Sequence, residues 1–130
     1  MMDRNGPDRP AAAGWSGQAR TTLVKQIHVL DLAEKMAAGE PVYLVDVRQP
    51  WEHETAALPG SLLIPLHELP GRVGEVQPLE GALVVVYCHH GIRSLSGAAF
   101  LEQAGVKPVV SLAGGIDAWS LQVDLRVPQY

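Results

Sequence analysis

The sequence predicts an α/β protein with a central, mainly parallel sheet that has helices on both faces. Short apolar segments alternate with segments of helical periodicity, and this alternation is typical of parallel strands joined by helices. Two of the apolar segments, residues 42–47 and 82–87, are almost uninterrupted, as expected of strands that are covered on both faces. The chain has 130 residues, 47% of them hydrophobic and 18% charged, which suits one ordinary globular domain.

The first half of the chain predicts two helical segments and two strands. Apolar residues three or four positions apart predict a helix over residues 29–38, which Gly39 ends. The apolar segment at residues 42–47 predicts a buried strand. A helical turn is expected over residues 51–55, just after a proline. A short strand is expected over residues 61–64, where the next proline closes it.

The second half of the chain predicts three helices and two strands. Residues 66–76 predict a weak helix that a proline and a glycine interrupt. Residues 82–87 have the strongest strand signal in the chain because they are rich in β-branched side chains. A helix over residues 93–104 follows and ends at a glycine, and Val109–Leu112 predicts another strand. A last short helix is expected over residues 116–122, after two adjacent glycines.

Residues 1–22 are expected to form a flexible N-terminal tail and residues 23–130 the folded domain, because the first segment is rich in Gly, Pro and Ala and has no apolar period. This segment also lacks the apolar stretch of a secretory signal. The longest apolar run, residues 82–88, is far shorter than the ~20 residues that cross a membrane. A net charge of -4 argues against a nucleic-acid partner. We therefore expect a cytoplasmic protein that binds neither a membrane nor a nucleic acid.

The only cysteine, Cys88, follows the strongest strand and excludes both an internal disulfide and a two-cysteine metal or redox site. The loop that it begins consists of Cys88, His89, His90, Gly91, Ile92, Arg93 and Ser94. Backbone amides of a tight loop before a helix point toward such a position and stabilise an anion, so the pattern predicts an ionised, nucleophilic sulfur. Gly91 would supply a positive φ or a close backbone approach, and Arg93 a fixed positive charge.

Each of these residues also has a plainer interpretation. Cys88 is a buried apolar filler if the loop amides point elsewhere. His89 and His90 form a metal pair only if further ligands stand at suitable spacing; none does, so the sequence predicts no metal and no cofactor. The two histidines then line the mouth of the loop or are solvated. In its plainer interpretation, which remains open, Arg93 is a surface charge at the start of a helix.

Four motifs resemble, in the same order, those of the rhodanese-type sulfurtransferases, single-domain members included. Residues 88–94 are similar to the active-site loop of that family, and residues 46–52 resemble its D-V-R-x-x-x-E segment. Residues 59–65 resemble its P-G-A-x-x-I-P run, and residues 114–119 its closing G-G-x-x-x-W. The resemblance covers about residues 25–130 and implies a rhodanese-like fold.

The resemblance also implies a reaction. The Cys88 thiolate takes a sulfane sulfur from a small donor such as thiosulfate, with residues 89–94 binding the substrate. The persulfide then passes its sulfur to cyanide, an external thiol or an acceptor protein, because the chain has no second cysteine. His89 stands where many members have Arg, which makes the pocket less cationic. Ala56 and Ala57 replace a usual Gly-His pair, and we expect this change to alter local structure only.

Asp46 and Arg48, in the second motif, are candidate supporting residues. Asp46 ends a predicted strand beside the pocket, so a role in the site is open. In the structural alternative, Arg48 pairs with Glu52, and Asp46 caps a loop or holds Arg48. The glycines and the tryptophan of the closing motif are expected to be turn and core residues.

Two other functions remain open. A phosphatase or arsenate reductase of related fold also uses a cysteine loop closed by arginine, but with five residues in between, whereas four separate Cys88 from Arg93. The shorter loop suits a single sulfur atom better than a tetrahedral oxyanion. A persulfide carrier or partner-binding module without free turnover has the same sequence features. Both a monomer and a homodimer are compatible with the chain.

Overall fold

A computed structural model describes residues 24–130, so the tail expected at residues 1–22 lies outside the described residues. The described part contains a five-stranded sheet in which every strand pair is parallel. The strands are β1 (Gln26–Ile27), β2 (Val42–Asp46), β3 (Leu62–Leu63), β4 (Leu83–Tyr87) and β5 (Val109–Leu112). Their order across the sheet is β1-β5-β4-β2-β3, which places the two longest strands, β2 and β4, side by side.

Helices cover both faces of this sheet, which confirms the predicted α/β class. The helices are α1 (Val29–Ala37), α2 (Pro50–Thr55), α3 (Leu69–Arg72), α4 (Arg93–Gln103) and α5 (Gly115–Gln122), with 3₁₀ turns at Leu66–Glu68 and Val73–Glu75. One buried apolar cluster joins α4 and α3 to the strands, and a second joins α1 and α5 to the strands. No helix within residues 24–130 combines the length and the apolar character needed to cross a membrane.

Two elements differ from the expectation, whereas the other predicted bounds agree with the structure to within one residue. Strand β1 was not expected, because its two residues, one polar and one apolar, do not form an apolar run like that of β3. It forms by pairing with β5, where Gln26 lies beside Ser111. The weak helix expected over residues 66–76 is split into α3 and its two flanking 3₁₀ turns, because Pro70 has no amide hydrogen to continue the preceding turn.

The carboxyl ends of β2 and β4 lie at the same edge of the sheet, since Asp46 pairs with Tyr87 at the last position of each strand. Side chains along β4 alternate between the two clusters, with Val86 in one and Tyr87 in the other. Cys88 follows β4 directly and belongs to the cluster on the α4 side. Ligand sites of open parallel sheets lie outside this carboxyl edge, so the fold places the sulfur where such a site is expected.

Candidate active site

The sulfur of Cys88 lies inside a ring of hydrogen-bond donors formed by the loop and the start of α4. The backbone amides of Gly91 and Ser94 donate to Sγ at 3.2 Å and 3.3 Å. The hydroxyl oxygen of Ser94 lies 3.4 Å from the same sulfur, so the hydroxyl accepts from a thiol and donates to a thiolate. Cys88 is only 1% exposed, so bulk water does not compete with these groups. The arrangement therefore favours a negative charge on the sulfur.

Gly91 supplies the turn that brings the loop amides to the sulfur. Its φ of +96° lies in the region that favours glycine, and a Cβ there would lie 2.9 Å from the backbone nitrogen of Gly114. Gly91 thus has both a positive φ and a close backbone approach. The neighbouring Ile92 turns its side chain to solvent and is 73% exposed, and in the described structure it donates no hydrogen bond to Sγ.

Helix α5 supports the loop from behind. The backbone amides of Ile116 and Asp117 donate to the carbonyl oxygens of Cys88 and His89 at 2.9 Å and 3.1 Å. A Cβ on Gly115 would collide with these same two carbonyl oxygens. The two glycines of the closing motif are therefore turn residues, as expected, and they also let α5 approach the backbone of the loop.

Arg93 begins α4, but its guanidinium is bound to Glu52 rather than to the sulfur. Its two Nη atoms donate to the two carboxylate oxygens at 2.8 Å and 2.9 Å. The hydrogen bond from Arg93 is the largest of the effects that lower the pKa of Glu52 from 4.5 to about 2. The same pair raises the pKa of Arg93. In the described structure Arg93 donates no hydrogen bond to Sγ, so its charge reaches the sulfur only through space.

The ring of His89 stacks on those of both His90 and Tyr130. The ring centroid of His89 lies 3.9 Å from that of His90 and 4.0 Å from that of Tyr130. Burial first, and then the charge of His90, lower the pKa of His89, which favours the uncharged ring. Its Nε2 is buried and has no hydrogen-bond partner among residues 24–130.

The two histidines and Asp117 bring potential metal ligands within 4.8 Å of one another. The planes of the two imidazole rings are only 22° apart, because the rings are stacked. Nitrogen lone pairs lie in the ring planes, so those of His89 and His90 run side by side and do not converge on one point. This geometry does not fit a tetrahedral metal ion.

Asp46 and Arg48 form a fully buried ion pair at the end of β2. Nε and Nη2 of Arg48 donate to Oδ1 and Oδ2 of Asp46 at 2.9 Å and 2.7 Å, and both side chains are 0% exposed. Arg48 also donates to the hydroxyl of Tyr130 and to the backbone carbonyl of Glu52. The alternative in which Arg48 pairs with the Glu52 carboxylate is wrong, because Arg93 holds that carboxylate.

Two residues of this site escaped the sequence reasoning. Ser111 lies on β5 with its hydroxyl oxygen 2.8 Å from that of Ser94. The available signal was a polar residue inside an otherwise apolar strand. Tyr130 donates from its hydroxyl to Glu52 at 2.8 Å, and no local pattern predicts that contact.

A parallel α/β sheet with a cysteine loop at its carboxyl edge defines the class as α/β proteins with a cysteine-centred site. Comparison with known proteins identifies the family within that class. The model of the rhodanese-like domain matches residues 28–122, so the chain belongs to the family of rhodanese-like domains. A protein of Allochromatium vinosum named sulfurtransferase is 38% identical over 98 residues, which span 75% of this chain and 90% of that protein.

Solved structures have the same fold. A rhodanese-like domain protein from Staphylococcus aureus has a TM-score of 0.66 and 29% identity, and the match covers 73% of this chain and 90% of that one. A protein from Rhodopseudomonas palustris described as a possible tyrosine phosphatase has a TM-score of 0.70 at 24% identity, over 95% of this chain and 100% of that one. The second likeness concerns the fold alone, so the choice between the two chemistries depends on the site.

Proposed function

We propose that the protein is a rhodanese-type sulfurtransferase in which the Cys88 thiolate takes up and passes on a sulfane sulfur. The observation that carries this proposal is the ring around Sγ, in which two backbone amides and one hydroxyl lie within 3.4 Å. Family membership and the sulfurtransferase relative support a function of this type. Because the loop and α5 hold the donors in place, they stabilise a charged sulfur without reorganisation.

Two displacements complete the proposed reaction. The Cys88 thiolate attacks the sulfane sulfur of thiosulfate, the sulfur–sulfur bond of the donor breaks, and its electron pair leaves with sulfite. With an organic persulfide as donor, the same displacement releases a thiolate. Cyanide or a thiol then attacks the outer sulfur of the Cys88 persulfide and restores the thiolate. The sulfur moves without net oxidation, and since Cys88 is the only cysteine, the acceptor is another molecule.

The charges around the loop bear on the choice of donor. Glu52 neutralises Arg93, and the lowered pKa of His89 favours the uncharged form of that ring. A dianion such as thiosulfate therefore meets backbone amides and little free positive charge. We propose both thiosulfate and small organic persulfides as donors, with a cytoplasmic location that keeps the thiol reduced.

The position of Arg93 weighs against a phosphatase or arsenate reductase. Closing a cradle around a tetrahedral oxyanion requires the guanidinium to face the anion, as a bidentate donor. Both Nη atoms of Arg93 donate to Glu52 instead. Asp46 and Arg48 are proposed as supporting residues, because they lie beneath the loop edge without a contact to Sγ in the described structure.

The decisive experiment is the intact mass of the protein before and after incubation with thiosulfate or cysteine persulfide. We expect wild type to gain one sulfur atom that dithiothreitol removes, and Cys88→Ser to gain none. Excess cyanide with thiosulfate should then yield more than one thiocyanate per protein molecule.

Each outcome separates the alternatives. No gain of sulfur on wild type with either donor, or an equal gain on Cys88→Ser, rejects the proposal. Loading without repeated turnover identifies a persulfide carrier. Hydrolysis of an aryl phosphate that disappears in Cys88→Ser identifies a phosphatase.

A further inference from the structure

A second serine lies behind the donor ring, and the proposed reaction assigns it no part. Ser111 is the only polar residue of β5, and its hydroxyl oxygen lies 2.8 Å from that of Ser94. The hydroxyl oxygen of Ser94 in turn lies 3.4 Å from Cys88 Sγ. Both serines are 0% exposed. Sulfur, Ser94 and Ser111 thus form a chain of three atoms joined by two hydrogen bonds, closed off from water.

The hydroxyl protons of this chain act on the charge state of the sulfur. Among the described residues, Ser94 is the sole hydrogen-bond partner of the Ser111 hydroxyl. When the sulfur is a thiolate, Ser111 donates to Ser94 and Ser94 donates to Sγ, so both hydroxyl protons are paired. A hydroxyl that accepts one hydrogen bond is polarised and donates a stronger one, most of all to an anion in a site closed off from water. Donation from Ser111 therefore strengthens the bond from Ser94 to a charged sulfur and favours the thiolate over the thiol.

We infer that Ser111 is a positioning residue that orients the Ser94 hydroxyl toward the sulfur and thereby favours the anionic form of Cys88. This inference rests on the proposed function, which needs that anion as its nucleophile. In the described structure the Ser111 hydroxyl bonds to Ser94 and not to the sulfur, so Ser111 acts through Ser94. The role explains why a polar side chain occupies a fully buried position in an apolar strand.

Other titratable and charged groups surround the loop and must be held constant. These groups are His89 and His90 in the loop, Arg93 on α4, Glu52 on α2, Asp117 on α5, and Tyr130. None of them contacts the Ser111 hydroxyl in the described structure. A substitution at Ser111 therefore leaves this set of charges in place.

The test is the pH profile of Cys88 alkylation by iodoacetamide, measured without any sulfur donor. Since Cys88 is the only cysteine, no other thiol reacts. In Ser111→Ala, we expect the midpoint of the profile to move to higher pH. Alkylation below that midpoint should be roughly three- to tenfold slower than in wild type. Ser120→Ala is the matched control, because Ser120 is a buried serine that donates to the Val127 carbonyl instead, and its profile should match wild type.

Two further comparisons protect the test against misfolding and indirect effects. Threonine and valine side chains have the same shape and differ by the hydroxyl. The alkylation profile of Ser111→Thr should therefore have a lower midpoint than that of Ser111→Val. If Ser111 acts through Ser94, adding Ser111→Ala to Ser94→Ala should move the midpoint no further.

Three results would overturn the inference: coinciding profiles for the Thr and Val variants, an equal shift in Ser120→Ala, or additive shifts in the double variant. The alkylation profile needs no sulfur transfer. A failure of the inference is therefore distinct from a failure of the proposed reaction, which the mass measurement reports.

Discussion

The ion pair of Asp46 and Arg48 shows, at the scale of single residues, how charge is kept buried beside the candidate site. Removing both groups from water is costly, and direct hydrogen bonds must offset that cost. Arg48 meets this demand with two bonds to Asp46 and further bonds to backbone carbonyls, including that of Ala56. His53 lies 2.8 Å from the second carboxylate oxygen of Asp46. These bonds tie the end of β2 to the segment around α2.

Replacing one partner of this pair should lower stability rather than change the chemistry. We expect Asp46→Asn to reduce the free energy of unfolding in urea by about 3–5 kcal/mol, because the Arg48 charge stays buried with a weaker partner. The control is Asp124→Asn, whose partner Arg126 is 91% exposed, and because solvent screens this pair its effect should be far smaller than that of Asp46→Asn. Sulfur loading per folded molecule should match wild type in both variants. A stable Asp46→Asn protein that no longer loads sulfur would instead give the carboxylate a direct role.

At the scale of elements, the turn between β5 and α5 determines the shape of the cysteine loop. The first amides of α5 bind the carbonyls of Cys88 and His89, so the helix and the loop position each other. This contact requires α5 to begin without a side chain, since a Cβ on Gly115 would meet those carbonyls. The loop therefore depends on a glycine 27 positions further along the chain than Cys88.

A pair of glycine substitutions separates this contact from the general cost of a positive φ. Gly105 has a φ of +95° and open space around it, so Gly105→Ala should cost about 1 kcal/mol of unfolding free energy and leave sulfur loading unchanged. Gly115 has a φ of +61°, and a Cβ there would collide with the carbonyls of Cys88 and His89. Gly115→Ala should therefore lower the unfolding free energy more than Gly105→Ala does, and it should slow sulfur loading by displacing the loop. Urea unfolding and the rate of persulfide formation check both parts. Equal behaviour of the two variants would show that α5 does not position the loop.

At the scale of the whole molecule, local patterns predicted the elements, but not the contacts that cross the chain. The strand before Cys88 and the helix after it were predictable because β-branched runs and helical spacing are local signals. The partner of Arg93 was not, because Glu52 lies 41 positions away. The partner of Arg48 was left open between two carboxylates of the same motif, and only the fold decides between them. Tyr130 reaches Glu52 across 78 positions, a distance over which sequence spacing carries no information.

Glu52 joins three distant parts of the molecule. Its carboxylate accepts from Arg93 at the start of α4 and from the Tyr130 hydroxyl, while its own backbone belongs to α2. The Tyr130 ring also covers His89 and meets Trp51 edge-on. Burial is the main effect that raises the pKa of Tyr130 to about 12, so its hydroxyl remains a donor across the physiological range.

The depressed pKa of Glu52 predicts a specific loss of stability in acid. In the unfolded chain this carboxyl protonates near 4.5, whereas in the folded protein its pKa is about 2. The pair therefore stabilises the folded state fully above pH 4.5, and this contribution disappears as the pH falls toward about 2. Converted directly, the pKa shift corresponds to about 3 kcal/mol of folding free energy. Because solvent screens the partly exposed Arg93, we expect the pair to contribute roughly 1–2 kcal/mol to stability.

The measurement is the free energy of unfolding in urea at several pH values for wild type and Glu52→Gln. Wild type should be more stable at neutral pH, and its advantage should shrink by roughly 1–2 kcal/mol on acidification, because glutamine has no proton to gain. Glu75→Gln is the matched control, since Glu75 pairs with Arg72 on the exposed surface, where solvent screens the pair. Its difference from wild type should change little with pH. A constant difference between wild type and Glu52→Gln over the acid range would mean that the Arg93 pair does not hold the loop to α2.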